Sequence, residues 1–245
     1  MEYGFIFDYG GTLDTGGCHW GRHIWHAYER AGVPVDEALY REAYVYAERA
    51  LAREPLIRPD FTFYDTLQTK LAIQFRYLQE HGLQGDVETM SAAVLADLYS
   101  ITLQHTAHSR DVLSRLAEHF PLVLVSNFYG NIHTVLREFR LDGLFQHVIE
   151  SAVVGVRKPD PRIFTLGVEA LGLRPEEVIV VGDSLDKDIL PARQAGCQAV
   201  WLRGEQWTDI PAAAIPPVRI ITDLKELLSA VSSLQITQIH TDLSL

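Results

Sequence analysis

Six short apolar segments, separated by stretches with helical periodicity, dominate this 245-residue sequence. β-Branched and aromatic residues are concentrated in these segments, which is typical of buried strands. Strands that alternate with helices connect by right-handed crossovers and form a mainly parallel sheet covered on both faces. The sequence therefore predicts a doubly wound α/β fold. The predicted strands are 3–8, 122–126, 147–152, 178–183, 199–202 and 218–222, and the predicted core helices are 110–119, 131–139, 161–171 and 186–195.

The strand pattern is absent between residues 15 and 108, where apolar residues recur at helical spacing instead. Prolines and glycines divide this stretch into four predicted helices. We therefore predict an all-helical cap, 15–108, inserted into an α/β core made of 1–14 and 109–233. The hinges between the two are expected at 15–17 and 105–109, and the polar tail 234–245 receives no structural assignment.

Composition excludes several classes of partner. The formal net charge of -11 disfavours binding to nucleic acid or to an anionic membrane. No apolar run approaches the roughly 20 residues that span a bilayer, and no basic segment precedes the first apolar stretch as in a signal peptide. Cys18 and Cys197 lack metal-binding spacing, which predicts two reduced thiols. We expect a soluble, cytoplasmic protein, and the sequence leaves its oligomeric state open.

Polar residues follow four of the predicted strands. The carboxyl ends of parallel strands meet at one edge of a sheet, where ligands bind. We therefore expect these residues, far apart along the chain, to converge. They are Asp8, the pair Ser126 and Asn127, Lys158, and Asp183 with Asp188.

This set of side chains suits phosphoryl transfer. Asp8 can act as a carboxylate nucleophile, and Asp183 and Asp188 can help to hold Mg²⁺, which prefers oxygen ligands. Lys158, the Ser126 hydroxyl and the backbone N–H groups of the glycine-rich turn after Asp8 can bind the phosphoryl oxygens. The predicted substrate is a small phosphorylated molecule.

Four segments, 8–14, 126–127, 158–160 and 182–188, resemble the four motifs of the haloacid dehalogenase superfamily, most of whose members are Mg²⁺-dependent phosphatases with a Rossmann-like core. The resemblance covers the whole core, and it places a helical cap where the insert lies. It implies that Asp8 and Lys158 are catalytic. It also implies phosphate binding by Gly11, Thr12, Ser126, Asn127 and Lys158, and Mg²⁺ binding by Asp8, the Gly10 carbonyl, Asp183 and Asp188.

Gly10 departs from that resemblance. The phosphatases of the superfamily carry at this position an aspartate that protonates the leaving alcohol and then activates water. Glycine keeps the backbone carbonyl for the metal but supplies no proton transfer, which typically contributes roughly 10²- to 10⁴-fold to a rate. We therefore expect a phosphatase that is weak or limited to good leaving groups, such as aryl or acyl phosphates.

Other residues leave alternatives open. His19, His23 and His26 share one face of a predicted helix. The alternatives for these histidines are a solvated helix face, proton donation in the active site, and binding of a separate zinc ion. Lys70 in the cap would suit imine formation in a phosphonatase-like C–P hydrolase, or it is an ordinary surface lysine. Asp183 disfavours metal-free dehalogenation. A catalytically degenerate protein that binds a phosphorylated ligand or a partner remains the non-enzymatic alternative.

Overall fold

A six-stranded parallel sheet forms the centre of the computed structural model, which describes residues 3–229. The strand order is β3-β2-β1-β4-β5-β6, and every neighbouring pair is parallel. The doubly wound α/β prediction is therefore confirmed. The strands are β1 (Gly4–Phe7), β2 (Leu122–Ser126), β3 (His147–Glu150), β4 (Val178–Gly182), β5 (Gln198–Leu202) and β6 (Arg219–Ile221).

Eight α-helices accompany the sheet within the described residues, four of them in the insert after β1. Short 3₁₀ segments lie at Pro175–Glu177 and Ala212–Ala214, and a π-helix spans Leu185–Ile189. The helices are α1 (Trp20–Arg30), α2 (Glu37–Arg53), α3 (Phe63–Glu80), α4 (Val87–Ala117), α5 (Ile132–Glu138), α6 (Ser151–Val154), α7 (Arg162–Leu171) and α8 (Leu190–Gln194).

Strand β1 is apolar throughout because both of its faces are buried. Phe5 and Phe7 pack into one hydrophobic cluster, whereas Ile6 packs into a second cluster on the opposite face. Successive side chains of a strand point to opposite faces, so a central parallel strand needs apolar residues at every position. This burial fixes β1 beside β4 and positions the residues that follow both strands.

Two predicted elements of the core differ from the structure. Residues 151–152, predicted as the end of a strand, begin the short helix α6. The predicted helix 186–195 is divided into the π-helix and α8, where Pro191 lacks the N–H group that a continuous helix would need.

Helix α4 runs without a break through residues 105–109, where a hinge is predicted. Its sequence contains neither glycine nor proline, so nothing interrupts its hydrogen bonding. The Ser109 hydroxyl donates to the Leu13 carbonyl oxygen and ties the helix to the end of the first core segment. At the other crossing, Gly16 and Gly17 both adopt positive φ, which only glycine adopts without strain.

Trp207, in the loop after β5, packs into the insert. Its ring lies 5.0 Å from the ring of Tyr44 and 5.3 Å from that of His19, and the Arg41 guanidinium lies 4.1 Å above it. A side chain at Gly21 would collide with this indole. The loop therefore holds the start of α1 and the middle of α2 against the core.

Some predictions fall outside the described residues: the tail 234–245, the end of the predicted core at 230–233, and the first two residues. Within 3–229, none of the helices has the length and hydropathy needed to cross a bilayer. Cys18 and Cys197 are free cysteines.

The three histidines of α1 and its cap have separate environments. His19 is the N-cap of α1, and His23 is buried between the rings of Trp20 and His105. His26 is more exposed and pairs with Glu29 and with Glu205. No common ligand site therefore joins them, and the separate zinc site finds no support.

We predict that His23 makes the protein less stable in mild acid. Burial lowers the pKa of His23 to about 4, and its Nε2 atom has no hydrogen-bond partner. The unfolded chain, with a pKa near 6.5, binds the proton first, so stability falls as the pH drops below that value. Between about pH 7.5 and pH 5, the free energy of unfolding should therefore fall by about 1–2 kcal/mol less in His23→Leu than in the wild type. Urea unfolding at the two pH values measures this difference.

His26→Leu is the matched control. Hydrogen bonds that His26 donates to the carboxylates of Glu205 and Glu29 raise the pKa of His26, so this histidine stabilises the folded state at acid pH. Its replacement should increase the loss of stability on acidification. An identical pH dependence in the wild type and in His23→Leu would contradict the assignment.

Candidate active site

Three buried carboxylates meet at the carboxyl edge of the sheet. Asp8 follows β1 and Asp183 follows β4, its neighbour in the sheet. Asp188 lies in the π-helix five residues beyond Asp183. Each offers a carboxylate oxygen, and these oxygens lie within 4.8 Å of one another. The convergence predicted from the sequence therefore occurs for these residues.

Lys158 is the buried cation of this cluster. Its Nζ lies 2.5 Å from Asp8 Oδ1 and 2.6 Å from Asp188 Oδ1. Burial lowers the pKa of Lys158, but the charges of Asp188 and Asp8 raise it by more, so the ammonium stays charged. One lysine cannot neutralise three carboxylates, and the cluster keeps an excess of negative charge.

The pKa values of Asp8 and Asp183 are both raised in this buried cluster. Burial raises the pKa of Asp8 to about 6, against the opposing charge of Lys158. Burial and the charge of Asp188 raise the pKa of Asp183 well above its ordinary value. Among residues 3–229, no hydrogen bond reaches the Gly10 carbonyl oxygen. Buried oxygens with excess negative charge and an unpaired carbonyl fit a site for a hard divalent cation.

Thr12 holds the two strand ends together. Its hydroxyl accepts a hydrogen bond from the Asp183 backbone N–H at 3.0 Å, and it lies within donating distance of Asp183 Oδ1 (3.0 Å) and Asp8 Oδ2 (3.3 Å). Gly11 has a φ of 97°, and a Cβ there would lie 2.6 Å from the Asp183 carboxyl carbon. The turn therefore requires glycine for both its conformation and its close approach to Asp183.

The predicted phosphate contacts of this turn need correction. The Gly11 N–H donates to Asp14 Oδ1 at 2.7 Å, and the Thr12 N–H donates to the Tyr9 carbonyl at 3.2 Å. Neither amide is available to a phosphate in this arrangement. In contrast, no hydrogen bond to the Gly10 N–H is found within the described part of the chain, so Gly10 is the amide that the turn offers.

Asn127 is hydrogen-bonded to the backbone of Lys158. Its side-chain amide donates to the Lys158 carbonyl at 3.0 Å and accepts from the Lys158 N–H at 2.9 Å. These two hydrogen bonds position the backbone of Lys158, and the phosphate contact of Asn127 stays a prediction. Ser126 is buried and lines the cavity described below, and its hydroxyl makes no hydrogen bond to the residues between 3 and 229.

No carboxylate atom lies within 4 Å of a Cβ built on Gly10. The nearest atoms to a Cβ built on Gly10 are Cδ1 and Nε1 of Trp20, both at 3.9 Å. That Nε1 donates to Asp14 Oδ2 at 3.0 Å. Burial raises the pKa of Asp14 to about 7, and both of its oxygens are hydrogen-bonded. Asp14 is not among the site residues predicted from the sequence, although its spacing from Gly11 is typical of a side-chain-to-backbone turn.

Lys70 faces the same cavity but is paired. Its Nζ lies 2.8 Å from Glu48 Oε1 and 5.6 Å from the ring centroid of Tyr129. Burial lowers the pKa of Lys70, and the charge of Glu48 raises it by more, to well above the ordinary value. Imine formation needs a depressed lysine pKa, so this environment disfavours the phosphonatase-like alternative. Glu48 and Tyr129 were not identified from the sequence because neither belongs to a motif.

A cavity of about 570 Å³ lies between the core and the insert. Core residues of the carboxylate cluster line one side, and helices α1, α2 and α3 supply the other, including Trp20, Tyr44 and Phe63. Ligand cavities in proteins are commonly of this size. The site is therefore large enough for a small organic molecule that carries a phosphate.

A parallel α/β sheet with a helical insert after its first strand and an acidic cluster at its carboxyl edge defines a hydrolase of the haloacid dehalogenase type. The family model described as haloacid dehalogenase-like hydrolase matches residues 4–196. The chain belongs to this family.

Curated relatives match over part of the chain. A glyceraldehyde 3-phosphate phosphatase of Pyrococcus furiosus is 36% identical over 92 residues, 37% of this chain and 38% of the relative. A phosphoserine phosphatase of Thermus thermophilus is 42% identical over 86 residues, 35% of this chain and 34% of the relative. The chain thus matches less than two fifths of the length of either relative.

Solved structures match over nearly the whole chain at low identity. A dehalogenase studied as an intermediate complex gives a TM-score of 0.61 at 17% identity and covers 94% of this chain and 96% of its own. The HAD-hydrolase YfnB from Bacillus subtilis, bound to magnesium, gives 0.56 at 20% identity, with 95% and 100% covered. At such identities the likeness extends to the fold alone.

We predict that Gly11→Ala disrupts the carboxylate cluster. The substitution imposes a positive φ on alanine, which costs about 1–2 kcal/mol, and its Cβ displaces the Asp183 carboxylate. Gly143→Ala is the matched control, because Gly143 has a φ of 83° and nothing within 4 Å of its Cβ position. Both variants should lose stability, but only Gly11→Ala should lose Mg²⁺ binding in calorimetric titrations. Wild-type Mg²⁺ affinity in Gly11→Ala would refute this account of the turn.

Proposed function

We propose that this protein is a Mg²⁺-dependent phosphatase that hydrolyses a small phosphorylated metabolite through an aspartyl-phosphate on Asp8. The observation that supports it is the convergence of Asp8, Asp183, Asp188 and Lys158 in one buried cluster at the floor of a cavity. Asp8, Asp183 and the Gly10 carbonyl would hold the ion, with Asp188 in support. When bound, Mg²⁺ supplies positive charge to the phosphoryl oxygens.

In the first step, an Asp8 carboxylate oxygen attacks phosphorus, and the bond from phosphorus to the leaving-group oxygen breaks. Burial raises the pKa of Asp8 to about 6, while the charge of Lys158 favours the ionised carboxylate that acts as the nucleophile. Lys158 and the Ser126 hydroxyl stabilise the charge on the phosphoryl oxygens. In the second step, water attacks the aspartyl-phosphate, which releases phosphate and restores Asp8.

Gly10 affects both steps. The leaving group departs without a proton from position 10, so its own acidity sets the rate of the first step. The attacking water in the second step also lacks a base at that position. We therefore infer a narrow preference for aryl or acyl phosphates and slow hydrolysis of the aspartyl-phosphate.

Names of the relatives support the class of substrate. The curated relatives include phosphatases for glyceraldehyde 3-phosphate, phosphoserine and phosphoglycolate. All three substrates are small phosphorylated molecules, and this shared chemistry is what we carry over. Residues 15–108 would act as the cap, whose closure excludes bulk water from the reacting groups.

The non-enzymatic alternative predicts binding without turnover. A degenerate member would bind phosphate or vanadate with Mg²⁺ but release no product from any phosphate ester. Asp8→Asn distinguishes the two, because it removes the nucleophile while it keeps the shape of the side chain. Turnover that disappears in this variant supports the phosphatase.

We predict that Gly10→Asp broadens the range of leaving groups. The backbone at Gly10 lies outside the positive-φ region, and a Cβ there meets nothing closer than 3.9 Å, so the carboxylate can be accommodated. Its acid function should raise kcat/KM for alkyl phosphates by about 10²-fold and that for aryl phosphates much less. The measurement is kcat/KM, which reports the first step, for a series of phosphates with leaving groups of graded pKa.

Gly10→Asn is the matched control, because it adds a side chain of the same shape as aspartate without a carboxyl group. The wild type and Gly10→Asn should both show a steep dependence of kcat/KM on leaving-group pKa, and Gly10→Asp a shallow one. If the wild type already hydrolyses alkyl and aryl phosphates equally well, the inferred effect of Gly10 is wrong.

A further inference from the structure

We propose that His19 and Lys187 form a second subsite of the cavity, which binds a carboxylate in the non-phosphate part of the substrate. The subsite deepens the proposed function and rests on it, because it specifies which phosphorylated molecules the cavity accepts. Both residues line the cavity, His19 from the insert and Lys187 from the core.

His19 offers a hydrogen-bond donor of fixed orientation. Its Nδ1 accepts a hydrogen bond from the Gly21 N–H at 3.0 Å as the N-cap of α1, so the proton of the neutral ring lies on Nε2. The rings of Trp207 and Tyr44, at 5.3 and 6.1 Å, hold the imidazole in place. Nε2 makes no hydrogen bond to any residue of the described chain.

The ring of His19 stays neutral under physiological conditions. Burial and then the charge of Lys187 lower the pKa of His19 to about 4. A neutral imidazole with Nδ1 occupied can only donate through Nε2. His19 therefore selects an acceptor atom, and this selection does not change across neutral pH.

Lys187 supplies the positive charge. It is an exposed residue of the π-helix, and Ser184 accepts a hydrogen bond from its backbone N–H. Of the three lysines that line the cavity, Lys158 is paired with Asp8 and Asp188, and Lys70 is paired with Glu48. Lys187 takes part in no ion pair within residues 3–229, so it is the one of these three lysines whose charge is available to a ligand.

The charges around the subsite favour an anion. Glu48 is an acidic residue of the cavity whose charge acts on His19, and the ammonium of Lys70 at 2.8 Å balances it. A hydrogen-bond donor and a cation together match the two acceptor oxygens of a carboxylate. The phosphate itself is accounted for at the carboxylate cluster, so the second anion belongs to the rest of the substrate.

Binding of non-hydrolysable ligands tests the subsite without turnover. The ligands are phosphonoacetate, 3-phosphonopropionate and 4-phosphonobutyrate, each compared by calorimetry in Mg²⁺ with the alkylphosphonate that lacks the carboxylate. In the wild type, at least one carboxylate ligand should bind about tenfold more tightly than its alkyl match, the size expected for one hydrogen bond to a charged group. The three ligands differ in the number of carbon atoms between the phosphonate and the carboxylate, so that one of them can span the distance between the two subsites.

Four variants assign that preference to residues. Lys187→Met removes the charge, and Lys225→Met is its control at an exposed lysine outside the cavity. His19→Asn keeps an acceptor for the Gly21 N–H, because asparagine is a good N-cap, but it loses the donor at the Nε2 position. His19→Gln places an amide N–H near that position and weakens the cap.

The preference for carboxylate ligands should fall below about twofold in Lys187→Met and in His19→Asn and should persist in Lys225→Met and His19→Gln. The unfolding midpoint should fall in His19→Gln rather than in His19→Asn, which separates recognition from capping. No preference in the wild type, or a preference unchanged in both Lys187→Met and His19→Asn, overturns the subsite. Failure of all the phosphonates to bind would instead overturn the phosphate site and, with it, this inference.

Discussion

The contact of the Lys158 ammonium with Asp8 and Asp188 is the interaction on which the site depends. Three buried carboxylates repel one another, and burial of a charge without a partner is costly. Lys158 balances part of this charge, and Asn127 fixes the backbone from which the lysine extends. The remaining negative charge makes the cluster a place where a divalent cation would be stabilised. The parallel pairing of β1 and β4 and the glycine turn at Gly11 keep the carboxylates close enough for this to happen.

The fold and the main site residues could be predicted because their signals are local. Apolar strands alternate with helices, and each strand of the site ends in a characteristic polar residue, such as Asp8 or Asp183. The hydrogen-bond partners of individual groups in the site could not be predicted from the sequence. The amides of Gly11 and Thr12 and the side chain of Asn127 are of the right type for phosphate, but the structure gives them protein partners. Such a partner can be assigned only once the three-dimensional neighbours are known.

Features outside the motifs could not be predicted for a similar reason. The pairing of Lys70 with Glu48 joins two helices, α3 and α2, and no spacing along the chain reveals it. A hinge is expected at 105–109 because the insert rejoins the core there, but this segment contains neither glycine nor proline, and α4 continues through it. Gly10 shows the opposite case. Its missing side chain is evident from the sequence, and the structure adds that no carboxylate atom lies within 4 Å of a Cβ built there.

In the proposed mechanism, Asp8 is phosphorylated during turnover, and Gly10 slows the hydrolysis of the aspartyl-phosphate. Rapid acid quenching of the reaction with an aryl phosphate and Mg²⁺, followed by mass spectrometry of the peptides, detects this intermediate. We expect a phosphoryl group on Asp8 that accumulates in the steady state, disappears without Mg²⁺, and accumulates less in Gly10→Asp. Steady release of phosphate with no phosphorylated Asp8 peptide, or with the phosphoryl group on another residue, would contradict it.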